Sequence, residues 1–238
     1  FQRILVVEPR RLAAKVSAEW VAQQSGGTVG SLVGYQIRRD SRKSKDTRLL
    51  YITEGILTRL FIQDAALSDY DLIILDEFHE RHIHSDIALA LVKKLQKHRP
   101  DLKLLVMSAT LEQNLLQAYL GQVPSFDIPG RVFPVTVSYR PPATGHTLSQ
   151  QVAAAVQELL KDPSGQGNIL VFLAGTGQIF QCAAYLQERI HDAEIIPLSA
   201  EHANNYQRIV ANPDRRKIIL STNVAETSLT LPNVRGVI

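Results

Sequence analysis

Short, largely apolar runs, each followed by a longer helical pattern, recur along most of the sequence. In the first half these runs are Arg3 to Val7, Leu49 to Ile52, Leu72 to Leu75 and Leu102 to Met107. A strand with one wet face alternates apolar and polar residues, whereas one that is apolar throughout is buried on both faces. That is the habit of a parallel sheet covered by helices on either side. The helical patterns supply the cover. One opens at Pro9, carries Leu12, Val16, Trp20 and Val21 with Trp20 expected in the core, and closes at Gly26-Gly27. Pro9 suits the first turn of a helix, where its missing N–H has no partner to lose. Further helices are expected over Thr53 to Ile62, Asp86 to His98 and Leu111 to Leu120.

The pattern breaks between Gly130 and Gln150, where Gly, Pro, Ser and Thr cluster around an expected strand at Val135 to Tyr139. It then resumes with a helix at Val152 to Leu160, a strand at Ile169 to Leu173, a helix at Gln178 to Ile190, a strand at Glu194 to Pro197, a helix at Asn204 to Ala211 and a strand at Lys217 to Ser221. The expected fold class is α/β: two tandem domains, 1–130 and 131–238, each a mostly parallel sheet flanked by helices. Length agrees, since 238 residues suffice for one or two packed cores.

Composition narrows the function classes. The longest apolar runs fall far short of the roughly 20 residues that a membrane helix needs. A single cysteine, Cys182, makes no internal disulfide framework or zinc cage. The expectation is a cytoplasmic protein without a membrane. Twenty-six Lys and Arg against 23 Asp and Glu give a net charge of +3, which by itself says little about partners. The stretch holding Arg38, Arg39, Arg42, Lys43, Lys45 and Arg48 is read as a solvated surface.

The sharpest local signal is Asp-Leu-Ile-Ile-Leu-Asp-Glu-Phe-His-Glu-Arg at 71–81. Four apolar residues put Asp76 and Glu77 at the carboxyl end of a buried strand, the edge at which α/β sheets bind ligands. Two carboxylates there can divide labour, one holding hydrated Mg²⁺ and the other polarising a water for attack on a phosphoryl group. The same pair also suits a polar strand end before a helix.

Asp76-Glu77-Phe78-His79 resembles the D-E-x-H box of superfamily 2 helicases, in the DEAH-box group. Other segments follow in that group's order. Val7 to Ala14 resembles motif Ia, Thr53 to Leu57 motif Ib, Ser108-Ala109-Thr110 motif III, Ile169 to Gly175 motif IV, and Ser221 to Thr230 motif V. Gly130 to Val135 resembles the passage into a second domain. Glu-Pro-Arg-Arg-Leu and Thr-Glu-Gly-Ile-Leu-Thr-Arg are most similar to the bacterial HrpB-type branch. The resemblance implies two RecA-like domains, with ATP or another NTP and Mg²⁺ held between them. It implies Glu77 as water activator, Asp76 as holder of the metal shell, and Ser228 as nucleotide sensor. Ser108 and Thr110, with His79 beside them, would couple hydrolysis to strand separation, though both also suit a helix cap. Arg10, Arg11, Thr53, Glu54 and Thr222 would meet single-stranded nucleic acid, RNA favoured over DNA. Nothing in the sequence names a protein partner.

The residues agree with part of this. Arg10 and Arg11 are expected in a helix's first turn, where the macrodipole disfavours a cation by roughly 0.3–1 kcal/mol. A phosphate contact would explain the pair, and so would a neighbouring carboxylate. Thr53 is a natural N-cap. Departures also count. The DEAH group usually carries an arginine near Trp20 and often an aromatic near Val210, which sandwich the base of the nucleotide; with Trp20 and Val210 at those places, the resemblance implies altered base stacking. No P-loop, G-x-x-x-x-G-K-[ST], occurs in the chain, and the arginine-rich motif VI is missing as well. Both domains are therefore expected to be cut short, and the fragment to be inactive alone. The alternative is a non-catalytic nucleic-acid-binding module without a nucleotide site.

Overall fold

The computed structural model of the chain describes residues 2–109, 113–121, 123–130, 133–141, 144–162, 166–199, 202, 205–211, 215–225 and 229–238. It divides into two compact units, Phe1–Phe126 and Asp127–Ile238. Both are mixed α/β with largely parallel sheets.

In the first unit, strands β1 (Ile4–Glu8), β2 (Val33–Ile37), β3 (Asp40–Arg42), β4 (Leu49–Thr53), β5 (Leu72–Leu75) and β6 (Lys103–Val106) form one sheet in the order β3-β2-β4-β1-β5-β6. All neighbours are parallel except β2 and β3, which form an antiparallel hairpin. Helices α1 (Arg11–Gln24), α2 (Glu54–Gln63), α3 (Ile83–Gln96) and α4 (Gln113–Leu120) supply the cover. The central strand explains why two layers are needed. Leu5 and Val7 point into a core built with Ile52, Leu57, Ile73, Val92 and Leu102, while Val6 between them joins Ala14, Ala18, Ala22, Tyr35 and Tyr51 on the other face. The middle of such a strand must be apolar at every position, as Leu5, Val6 and Val7 are.

The second unit holds β7 (Asn168–Phe172), β8 (Glu194–Leu198), β9 (Lys217–Ser221) and β10 (Val234–Val237), all parallel, in the order β10-β7-β9-β8. Helices α5 (Leu148–Lys161), α6 (Thr176–Gln187) and α7 (Asn205–Val210) accompany it. Thr147 caps α5 through a reciprocal capping box with Gln150. Val156, Ile169, Val171, Ile179, Cys182 and Leu186 belong to its hydrophobic core.

Several expectations need correction. Val135 to Tyr139 forms no strand; it lies outside both sheets with Val135 and Tyr139 exposed. Alternation alone does not make a strand without a neighbour to receive its hydrogen bonds. Trp20 is 60% exposed rather than packed in the core. The buried stripe of α1 runs through Ala14, Ala18 and Ala22, and Trp20 falls on the opposite side of the helix. Strands β2, β3 and β10 were not foreseen. The turn of the hairpin and β3 fall in the basic stretch, whose residues Arg38, Arg39, Arg42, Lys43, Lys45 and Arg48 are all exposed, as expected for a solvated surface. Among the described residues no helix is long and apolar enough to cross a membrane.

Gly34 shows how closely the hairpin packs. A Cβ there would sit 2.6 Å from the Arg42 carbonyl oxygen and 3.2 Å from Lys43 Cα, both backbone atoms. Gly34→Ala is therefore expected to destabilise the first unit by about 1–3 kcal/mol, read from urea unfolding. Unchanged stability would show that β2 and the chain after β3 do not approach so closely.

Candidate active site

Strands β1 and β5 lie side by side with Val7 opposite Leu75. The residues that follow, Glu8 and Asp76, therefore leave the sheet together at its carboxyl edge. The Asp76 N–H donates to the Val7 carbonyl at 3.0 Å and prolongs the ladder by one bond. The chain then turns abruptly. Glu77 is left-handed at φ 50 and ψ 37, Phe78–Glu80 make one 3-10 turn, and Arg81 is left-handed again at φ 48 and ψ 45. Non-glycine residues in that region cost on the order of 1–3 kcal/mol each and persist only when their surroundings impose them. The imposing contacts are visible: Phe78 is buried, and its N–H donates to the Met107 carbonyl at 3.1 Å, beyond the end of β6.

The turn gathers carboxylates. Asp76 Oδ1 accepts the Glu77 N–H at 2.8 Å. Burial raises the Asp76 carboxyl above its ordinary value, opposed by that hydrogen bond and by His79. Glu77 is raised too, first by burial and then by the charge of Asp76. Glu8, 3% exposed, is pushed up to about 8 by burial and by the charges of Asp76, Glu77 and Glu80. Negative charge is thus in surplus at this edge, and a hard divalent cation would relieve it. Asp76 and Glu77 fit Mg²⁺, which binds through one or two carboxylates and keeps several waters. Among the described residues no three acidic, His or Cys side chains are grouped to hold an ion by themselves.

His79 joins this turn to the end of β6. Its Nδ1 lies 3.3 Å from Glu77 Oε2 and 3.4 Å from the backbone nitrogen of Ala109. One nitrogen cannot serve both: carrying a proton it donates to Glu77, and without it accepts from Ala109. The two contacts are alternatives separated by a proton. Ser108, half-buried, precedes Ala109.

A second layer lies behind the turn. Arg10 is the N-cap of α1, which opens at Arg11 rather than at Pro9 as expected, and no acid stands in that helix's first turn. Its guanidinium meets Glu80, with Nε 3.2 Å from Oε1 and Nη2 3.2 Å from Oε2. His82 Nε2 approaches Glu80 Oε2 at 3.3 Å, and its Nδ1 stands 3.9 Å from Glu54 Oε1. Glu54 opens α2 but is buried, and Ser85 Oγ donates to it. Thr53 caps α2 in position, yet its side chain makes no capping hydrogen bond. Glu8 and Thr53 are opposite each other in the β1–β4 ladder, so the N-termini of α1 and α2 emerge side by side. Arg11 is exposed at the first of them. In the second unit, Thr222 follows β9 half-buried. The Ser221 hydroxyl beside it is buried without a hydrogen-bond partner among the described residues. Thr110 and Ser228 lie outside the described residues.

Residues 2–118 match the model of the DEAD/DEAH box helicase family. Over 99% of its length the chain is 42% identical to the ATP-dependent RNA helicase HrpB of Escherichia coli. It superposes on a crystal structure of E. coli DEAH/RHA helicase HrpB with a TM-score of 0.90 at 41% identity, again covering 99% of the chain. Residues 2–118 are thus a DEAD/DEAH box helicase domain. The chain is also 36% identical over its whole length to human probable ATP-dependent RNA helicase DHX34. It spans only 30% of HrpB and 22% of DHX34.

Of the residues singled out for a DEAH-type site, the fold gathers Asp76, Glu77 and His79 on one turn, with Ser108 at the adjoining strand end. Arg10, Arg11, Thr53 and Glu54 assemble at the neighbouring helix starts. Glu54 faces inward, so its side chain ties α2 to α3 through Ser85. Sequence reasoning missed Glu8, Glu80 and His82. Glu8 had a signal: Val-Val-Glu and Ile-Leu-Asp are equivalent strand endings, and parallel pairing in that register sets their acids together.

The Glu8 carboxyl gives a pH dependence of definite sign. Its folded value of about 8 exceeds the ordinary 4.5, so the folded state retains a proton that the unfolded state has lost. Its contribution is full below about 4.5 and disappears as pH rises through 8, at roughly 1.4 kcal/mol per pH unit between. Thermal melts in magnesium-free buffer should fall less steeply from pH 5 to 8 for Glu8→Gln than for wild type. Parallel profiles would remove Glu8 from the charge cluster.

Proposed function

We propose that the chain is the central part of an ATP-dependent RNA helicase motor of the DEAH type, which couples NTP hydrolysis to movement on single-stranded RNA. The observation that carries this reading is the Asp76–Glu77 pair, partly buried at the carboxyl edge of a parallel sheet and linked through His79 to the end of β6. Asp76 and Glu77 would hold Mg²⁺, which when bound supplies positive charge against the phosphate oxygens. Glu77, its proton affinity raised by burial, is suited to take a proton from the attacking water. His79 answers the state of Glu77 by exchanging its Nδ1 contact between that carboxylate and the Ala109 amide, so that hydrolysis is felt in the Ser108–Thr110 segment. Ser228 would sense the nucleotide from the second unit.

The nucleic-acid surface would comprise Arg10 and Arg11, the N-terminus of α2 at Thr53 and Glu54, and Thr222. Helix N-termini present unpaired amide N–H groups to phosphates, and the backbone of Thr53 and Glu54 serves in this way while the Glu54 side chain faces inward. These contacts read the backbone rather than base edges, so binding is expected to be tolerant of sequence.

Two measurements test the proposal. Single-stranded RNA should bind the chain with an affinity that falls linearly in log–log with salt, and salt-insensitive or absent binding would overturn the nucleic-acid role. In the full-length protein, Glu77→Gln should lower NTP turnover by about 10²-fold or more while RNA affinity changes little. Turnover unaffected by the substitution would remove Glu77 from the catalytic role, whereas no turnover at all, with an RNA affinity that is the same with and without ATP, would favour the non-catalytic binding module. Having no phosphate-binding loop, the 238-residue chain should hydrolyse little NTP alone.

A further inference from the structure

Arg10 stands at the proposed nucleic-acid surface, yet its charge is already engaged. The guanidinium grips Glu80 through Nε and Nη2, each 3.2 Å from a carboxylate oxygen, and only 18% of the Arg10 side chain and 6% of the Glu80 side chain are exposed. Glu80 is the last residue of the 3-10 turn whose left-handed N-cap is Glu77. Its Oε2 also faces His82 at 3.3 Å, and His82 continues to Glu54 at the start of α2. One carboxylate is therefore shared by the N-terminus of α1, the catalytic turn and, through His82, the N-terminus of α2.

We propose that Glu80 is a positioning residue through which bound RNA acts on the Glu77 turn, because an RNA phosphate and the Glu80 carboxylate compete for the Arg10 guanidinium. This rests on the reading of Arg10 as a phosphate contact. The geometry makes the competition consequential. The turn is pinned by Phe78 against the end of β6, by Glu80 against Arg10 and by Arg81 against Asp86. Glu77 and Arg81, at its ends, are held in a conformation that relaxes once a pin is weakened. A phosphate that draws Arg10 outward loosens the Glu80 contact while Phe78 and the Arg81–Asp86 pair hold, so the turn shifts at Glu80 and changes the aim of Glu77 and His79. His82 keeps Glu80 from standing alone as an unpaired buried charge. Linkage makes the effect reciprocal: any nucleotide state that shifts the turn must also alter RNA affinity.

The test is fluorescence anisotropy of a single-stranded oligouridylate with the chain as wild type, Glu80→Gln, Arg10→Gln and the double variant. Glu80→Gln should tighten binding roughly two- to fivefold, the worth of a partly exposed ion pair released to a new partner. Arg10→Gln should weaken it and reduce the salt slope by about one. In the double variant the gain from Glu80→Gln should vanish. If Arg10→Gln weakens binding but Glu80→Gln leaves it unchanged, the competition is overturned and the nucleic-acid reading stands. If Arg10→Gln changes nothing, the reading of Arg10 itself fails. Should Glu80→Gln prevent folding, Glu80→Asp retains the charge but shortens its reach, and unchanged affinity there is equally fatal. In the full-length protein, Glu80→Gln should also lower the ratio of RNA-stimulated to basal NTP turnover while lowering the RNA concentration needed for half-stimulation. A merely structural role would not move those two quantities in that combination.

Discussion

The parallel pairing of β1 with β5, Val7 opposite Leu75, fixes nearly everything else in the first unit. Ladder register is set by which residues must be buried on each face, and a slip of one would turn Leu5 and Val7 out of their core. With the register fixed by apolar packing, the two strands end level and their next residues, both acids, meet. On the other side β4 ends level with β1, so the starts of α1 and α2 are neighbours as well. A site that looks assembled from distant parts of the sequence is the edge of three adjacent strands.

That edge is electrostatically uncomfortable. Glu8, Asp76, Glu77 and Glu80 crowd together, and burial raises the first three by withholding water from the charged form. Arg10 offsets Glu80, while Glu8 is pushed up by the like charges of Asp76, Glu77 and Glu80. A site in this condition binds cations readily and holds protons near neutrality, which is useful for chemistry on phosphates and unhelpful to stability. The left-handed Glu77 and Arg81 add backbone strain at the same place. The large apolar cores on both faces of the sheet tolerate the expense.

Much of this was legible from the residues. The apolar strands announced themselves because double-sided burial leaves no room for polar positions, and Asp76 and Glu77 could be placed at a strand end for the same reason. Arg10 and Arg11 were conspicuous as cations where a helix prefers anions. The rest depended on tertiary contacts that no local pattern carries. Whether Arg10 meets a phosphate or a carboxylate turns on Glu80, seventy residues away in the chain. The inward turn of Glu54 depends on Ser85 in a different helix. Val135 to Tyr139 reads as a strand in composition and is none, because pairing belongs to two segments and the sequence of one cannot supply the other. Trp20 failed similarly: its size argued for the core, but the phase of α1 is set by alanines that allow close approach to the sheet.

The β2–β3 hairpin has a bearing on solubility. A sheet's outermost strand exposes unpaired N–H and C=O groups to any other extended chain, and parallel sheets rich in Val, Ile and Leu are especially prone to such adhesion. Here the boundary strand has three residues, runs against its neighbours and follows a tight turn at Arg38 and the left-handed Arg39. Its surroundings are Arg38, Arg39, Arg42 and Lys43, all in water. A second molecule seeking to extend the sheet would have to desolvate those cations and match a very short ladder. The basic stretch thus acts as a barrier to aggregation built into the margin of the fold.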